Sequence, residues 1–101
     1  MSRFALAPEA AADLVGIWRY IRDASSEEMA DRVEMTIRRA FIDIAKAPGI
    51  GHKRTDLTLA QVLFLPVYSY LIVYRTQGNQ IQIVAILHGN RDLKRLLKKR
   101  I

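Results

Sequence analysis

The sequence predicts an α+β fold in one domain covering residues 1–101: an N-terminal strand, an α-helical hairpin packed on an antiparallel β-sheet, and a short basic C-terminal segment. Apolar residues recur at helical spacing through the first half of the chain and at strand spacing through the second. Pro48-Gly49 separates the two regimes, and Thr76-Gln77-Gly78-Asn79 folds the strand half back on itself as a hairpin turn.

Phe4-Ala5-Leu6 is short and apolar and reads as an edge strand. Pro8 then suits the first turn of a helix, where a missing N–H costs nothing. Glu9 and Asp13 follow near the positive end of the helix dipole. Ala10, Leu14, Ile17, Trp18 and Ile21 give this helix one apolar face over residues 8–23. Ser25 and Glu28 fit a capping box, and a second helix over residues 26–46 carries Met29, Val33, Ile37, Phe41 and Ile44 along one stripe. Its acids come early and its bases late, as the macrodipole favours. The short link makes the two helices an antiparallel hairpin.

Residues 49–60 form a polar loop in which His52, Lys53 and Arg54 read as a solvated basic stretch. Three strands are expected next: Gln61 to Leu65, broken at Pro66; Tyr68 to Arg75; and Gln80 to His88. In the middle strand Tyr68, Tyr70, Ile72 and Tyr74 share a face opposite Leu71 and Val73. In the last, Ile81, Ile83, Ala85 and Leu87 lie opposite Val84 and Ile86. Both faces of the sheet are therefore apolar, whereas a half-solvated antiparallel sheet alternates more cleanly. One helical hairpin covers one face. The other calls either for self-packing of the C-terminal segment, through Leu93, Leu96 and Leu97, or for a partner chain.

The chain has 101 residues, half of them hydrophobic and 26% charged, a balance that belongs to a globular domain and not to a disordered one. It has no cysteine, which excludes disulfides and thiolate metal sites. The first residues lack the apolar core of a signal peptide, and no stretch approaches the ~20 apolar residues of a membrane span, so a cytoplasmic location is expected. The formal net charge of +6 favours an anionic partner. Much of it sits in the last eleven residues, as Arg91, Lys94, Arg95, Lys98, Lys99 and Arg100. There is no P-loop, dinucleotide glycine pattern, metal-ligand cluster or serine nucleophile elbow, and no cofactor or small-molecule substrate is expected.

Several stretches carry a family resemblance. They are Asp13 to Ile21 (DLVGIWRYI), Ala47 to Leu57 (APGIGHKRTDL), Tyr70 to Arg75 (YLIVYR) and Ile86 to Asp92 (ILHGNRD). Each is common alone. In this order, in a basic chain of this length, they resemble the RelE/ParE toxin superfamily over nearly the whole sequence. The resemblance implies a toxin of a type II toxin–antitoxin system. RelE-type members cleave messenger RNA on the ribosome; ParE-type members inhibit DNA gyrase. A small antitoxin neutralises either kind, and ParE-type antitoxins wrap the toxin with an apolar segment.

Chemistry favours the ParE branch. RNA cleavage needs a base, an acid and positive charge on the phosphate. The tyrosines are Tyr20, Tyr68, Tyr70 and Tyr74, so none follows Arg91. His88 and Arg91 are the catalytic candidates of a nuclease reading; His88, without a visible orienting partner, reads as structural. Expected target contacts are Arg91, Lys94, Arg95, Lys98, Lys99 and Arg100. Expected contacts to a ParD-like antitoxin are Leu14, Trp18, Leu63, Phe64 and Leu65, although a residue like Trp18 is more often simply core. The alternatives are a RelE-type endoribonuclease and a non-enzymatic basic module that binds DNA through its tail, with strong salt dependence.

Overall fold

Helices and strands follow the expected order in the computed structural model, which describes residues 3–101. Strand β1 (Arg3–Leu6) leads into helix α1 (Pro8–Ala24), with Pro8 in its first turn. Helix α2 (Glu27–Lys46) follows, and a 3-10 turn at Pro48–Ile50 ends the helical half. Strands β2 (Leu63–Val67), β3 (Tyr70–Gln77) and β4 (Gln80–His88) form the second half, and helix α3 (Leu93–Arg100) closes it.

The cap of α2 is one residue later than expected. Ser26, not Ser25, accepts a hydrogen bond from the Met29 N–H at 3.1 Å. The residue three positions on is then a methionine, so no carboxylate returns the bond and the capping box of Ser25 and Glu28 does not form. Ser25 instead caps α1, giving its N–H to the Ile21 carbonyl at 2.8 Å. Met29 also faces outward, and Ala30 takes its place in the buried stripe with Val33, Ile37, Phe41 and Ile44.

The sheet has the order β1-β4-β3-β2. It is mixed: β2, β3 and β4 are antiparallel, while β1 runs parallel to β4 along its outer edge. Pro66 does not break β2 but sits inside it opposite Leu71. An edge strand tolerates the missing donor because one side of its backbone has no neighbour. Tyr68 belongs to the β2–β3 turn rather than to β3, with φ at +56° and its ring exposed.

The face assignment in β4 also changes. Val73 pairs with Ala85 and Tyr74 with Ile83, which leaves Val84 as an extra residue. Such a bulge reverses the alternation beyond it. Ile81, Ile83 and Ile86 consequently face the helical hairpin with Tyr70, Ile72 and Tyr74. Val84, Ala85 and Leu87 face the other side with Leu71 and Val73. This second face is closed by the chain itself, through Val62 and Phe64 and through Leu93 and Leu97 of α3. The choice between self-packing and a partner at that face is thus decided for self-packing.

Candidate functional site

The bend from β1 into α1 leaves the end of β4 without a strand neighbour on that edge, while β3 continues to pair with it on the other. The ladder stops where Ala7 donates to the Ile83 carbonyl at 2.9 Å. Beyond that point side chains satisfy the edge. Asp13 Oδ2 accepts from the Ile86 N–H at 3.0 Å, and Arg100 Nη2 donates to the Val84 carbonyl at 3.2 Å. The same two side chains pair with each other, at 2.7 Å for Nη2 to Oδ2 and 3.2 Å for Nη1 to Oδ1. Glu9 adds a third contact, 3.1 Å from Arg100 Nε. The hydrogen bonds that Arg100 donates to Asp13, and the nearby carboxylates, raise the Arg100 pKa despite partial burial, so the charge is permanent. Arg100 is therefore a structural clamp between α3, α1 and β4, with only 12% of its side chain exposed.

Beside this clamp, α1 and the end of β4 enclose an open cleft of about 510 Å³. Asp13, Gly16, Ile17 and Tyr20 line one wall; Tyr70, Ile86 and His88 line the other, and Asn90 and Arg91 close the end. His88 and Arg91, paired in sequence reasoning, do come together here. His88 also has the orienting partner that the sequence did not show: its Nδ1 accepts from the Asn90 N–H at 3.2 Å, and its ring meets Tyr70 edge-on at 5.1 Å. Burial, and then the neighbouring Tyr20, push the Tyr70 hydroxyl above its ordinary pKa and keep it protonated at neutral pH. No spacing signal links Tyr20, Tyr70 and Asn90 to His88 along the chain.

The remaining basic residues lie on α3. Lys94, Arg95, Lys98 and Lys99 are exposed, while Leu93 and Leu97 turn inward. Asp92 caps this helix by accepting from the Arg95 N–H at 3.3 Å, and the bases of its last turn oppose the negative end of the dipole. Arg91 and these four side chains form the accessible cationic group, and Arg100 drops out of it.

The antitoxin-facing candidates separate in the same way. Leu14 and Phe64 are core, at 3% and 2% exposure, and offer no surface to a partner. Leu63 and Leu65 are half-buried on the outer strand β2, against the hairpin-side core. Trp18 is half-buried between the helices, where its indole N–H donates to Asp31 at 2.7 Å and the Arg22 guanidinium lies over its ring. Among the described residues no cluster of His, Asp and Glu suits a metal ion, and no helix is long and apolar enough to cross a membrane.

A chain from the chromosomal ParDE toxin–antitoxin system of P. aeruginosa has the same fold, with a TM-score of 0.76 over 87% of this chain and 96% of that one. The two share 22% sequence identity. No curated protein matches the sequence. The family model described as the ParE toxin of the type II toxin–antitoxin system parDE matches residues 4–93. With that match spanning β1 to the start of α3, the chain belongs to the ParE toxin family.

Proposed function

We propose that this ParE-family toxin acts by inhibiting DNA gyrase, which blocks replication, and that a cognate ParD-like antitoxin holds it inactive. The observation that carries the target half of this reading is the exposed cationic face of α3. Lys94, Arg95, Lys98 and Lys99, with Arg91 just before them, have no acidic partner among the described residues within ion-pair distance. Such a face suits a protein–DNA complex in which phosphates are accessible. The antitoxin half rests on the family, with Trp18, Leu63 and Leu65 as the candidate residues that keep exposed surface. The action read here is non-catalytic inhibition.

The test is a supercoiling assay with purified gyrase. The chain should inhibit the reaction, addition of the antitoxin should restore it, and naked DNA should bind too weakly at physiological salt to explain the effect. Unimpaired supercoiling at excess toxin would remove gyrase as the target.

The gathering of His88, Arg91, Tyr20 and Tyr70 in one cleft favours a second reading, ribosome-dependent cleavage of messenger RNA. Site-specific cuts in a purified translation system, abolished by His88→Ala or Arg91→Ala, would establish it in place of gyrase inhibition.

A further inference from the structure

The cleft between α1 and the end of β4 combines three properties. Its aromatic surface is accessible: Tyr20 is 68% exposed, and Tyr70 and His88 line the opposite wall. Its donors are free. Because His88 Nδ1 accepts a hydrogen bond, the neutral ring carries its proton on Nε2, which has no acceptor among the described residues. The Arg91 guanidinium likewise has no acceptor there. Finally, the one carboxylate in the cleft is already engaged. Both oxygens of Asp13 bind Arg100, and one also accepts from Ile86, so its charge is neutralised and does not repel an anion.

Space is also available. A Cβ built on Gly16 meets nothing within 4 Å, and the volume of about 510 Å³ falls in the range of small-ligand clefts. Aromatic faces accept nucleobases by stacking, and arginine and imidazole N–H groups accept phosphate. We propose that this cleft is a nucleotide site, with an unstacked base against Tyr20 and its phosphate on Arg91 and His88. The site shares Arg91 with the cationic group read as the gyrase contact, but Tyr20 and His88 lie on α1 and β4, away from the α3 face, so loss of AMP binding in Tyr20→Ala with gyrase inhibition retained separates the two readings. The ligand is a free mononucleotide or one nucleotide of a single strand; the chemistry is common to both.

The experiment is an NMR titration of the full chain, following backbone amides, with AMP, adenosine, inorganic phosphate and a short single-stranded oligonucleotide. Saturable shifts are expected at Gly16, Tyr20, His88 and Asn90, with AMP binding more tightly than adenosine or phosphate. Tyr20→Ala and Arg91→Ala should each weaken AMP at least about tenfold, whereas Tyr20→Phe should retain it. Both side chains are exposed, so unchanged thermal melts will show that the variants are folded. Tighter binding of the oligonucleotide than of AMP assigns the site to a strand; equal binding assigns it to a free nucleotide. The proposal is overturned if the shifts do not saturate, if they are confined to α3, or if both alanine variants bind as wild type does. It is equally overturned if the cleft amides respond only to an acidic peptide from the antitoxin.

Discussion

Tyr74 controls how the chain leaves α2. Its hydroxyl donates to the Pro48 carbonyl at 2.7 Å and accepts from the Gly51 N–H at 2.8 Å, while its ring is 1% exposed. Gly51 has an ordinary φ of −78°, so glycine is there for room. An added Cβ would lie 2.5 Å from the Tyr74 oxygen and 2.8 Å from Cε1, and the enclosed ring has little freedom to retreat. Gly51→Ala should therefore cost about 1–3 kcal/mol. Tyr74→Phe removes both hydrogen bonds and should cost about 1–3 kcal/mol, read as a lower urea midpoint. Burial raises the Tyr74 pKa above its ordinary 10.0, outweighing the bond from Gly51, and Tyr70 is raised in the same sense. A raised folded-state pKa means that the unfolded chain ionises first. This contribution is then complete below about pH 10 and is lost as pH climbs through the folded value. Stability should fall on the alkaline side, and Tyr74→Phe should flatten that limb; an unchanged alkaline slope in the variant would place the titration elsewhere.

At the scale of elements, β4 is the part whose edge depends most on side chains from elsewhere. Asp13→Ala strands the Ile86 N–H and leaves Arg100 with Glu9 as its remaining acidic partner. A loss of about 2–3 kcal/mol is expected. The Asp13→Ala, Arg100→Ala double mutant should cost clearly less than the sum of the single losses, because the two act as one unit; strict additivity in denaturant melts would mean the clamp is only apparent. The bounds of β4 were legible in the sequence because apolar period and turn chemistry agree there, whereas the last segment was legible as basic with leucines at helical spacing but not as helix rather than frayed tail. The facing of Ile86 and Leu87 was not, since a bulge at Val84 has no composition signature and changes the parity of every later residue in the strand. Pro66 read as a break because its tolerance depends on β2 being an edge strand, which is a property of topology. Tyr68 read as strand because its ring continues the alternation, although a bulky residue at positive φ is unfavourable. Tyr68→Asn should thus be neutral or gain up to about 1 kcal/mol in the thermal melt. The clamp and the cleft were illegible for a common reason: Asp13 and Arg100 lie 87 positions apart, and Tyr20 and His88 come to line one cleft only through the packing of a helix on a strand.

For the whole molecule, α3 has two faces with separable duties. Its inner side, Leu93 and Leu97, lies on Leu71, Val73, Val84, Ala85 and Leu87, and Arg100 ties it to α1. Its outer side carries Lys94, Arg95, Lys98 and Lys99 into solvent. Deleting residues 93–101 therefore exposes a sheet face and breaks the clamp at once. The truncated chain should aggregate or lose its cooperative melt, so a loss of toxicity in it says nothing about target contact. The informative variant changes the outer charges alone. Replacing Lys94, Arg95, Lys98 and Lys99 with Ser touches no buried contact and should shift stability by only about 0.5 kcal/mol per site or less. Arg100 must be kept, since its charge belongs to the interior. If the cationic face meets the target, this quadruple variant should lose most of its growth inhibition and gyrase inhibition at physiological salt. Its antitoxin affinity should change little if the antitoxin binds the apolar surface proposed around Trp18, Leu63 and Leu65, which the substitutions leave intact. Lower salt should strengthen inhibition by the wild type more than by the variant, because the wild type makes more phosphate contacts and releases more counterions on binding. A variant that folds, binds antitoxin and stays fully toxic would show that the outer face of α3 is merely solvated.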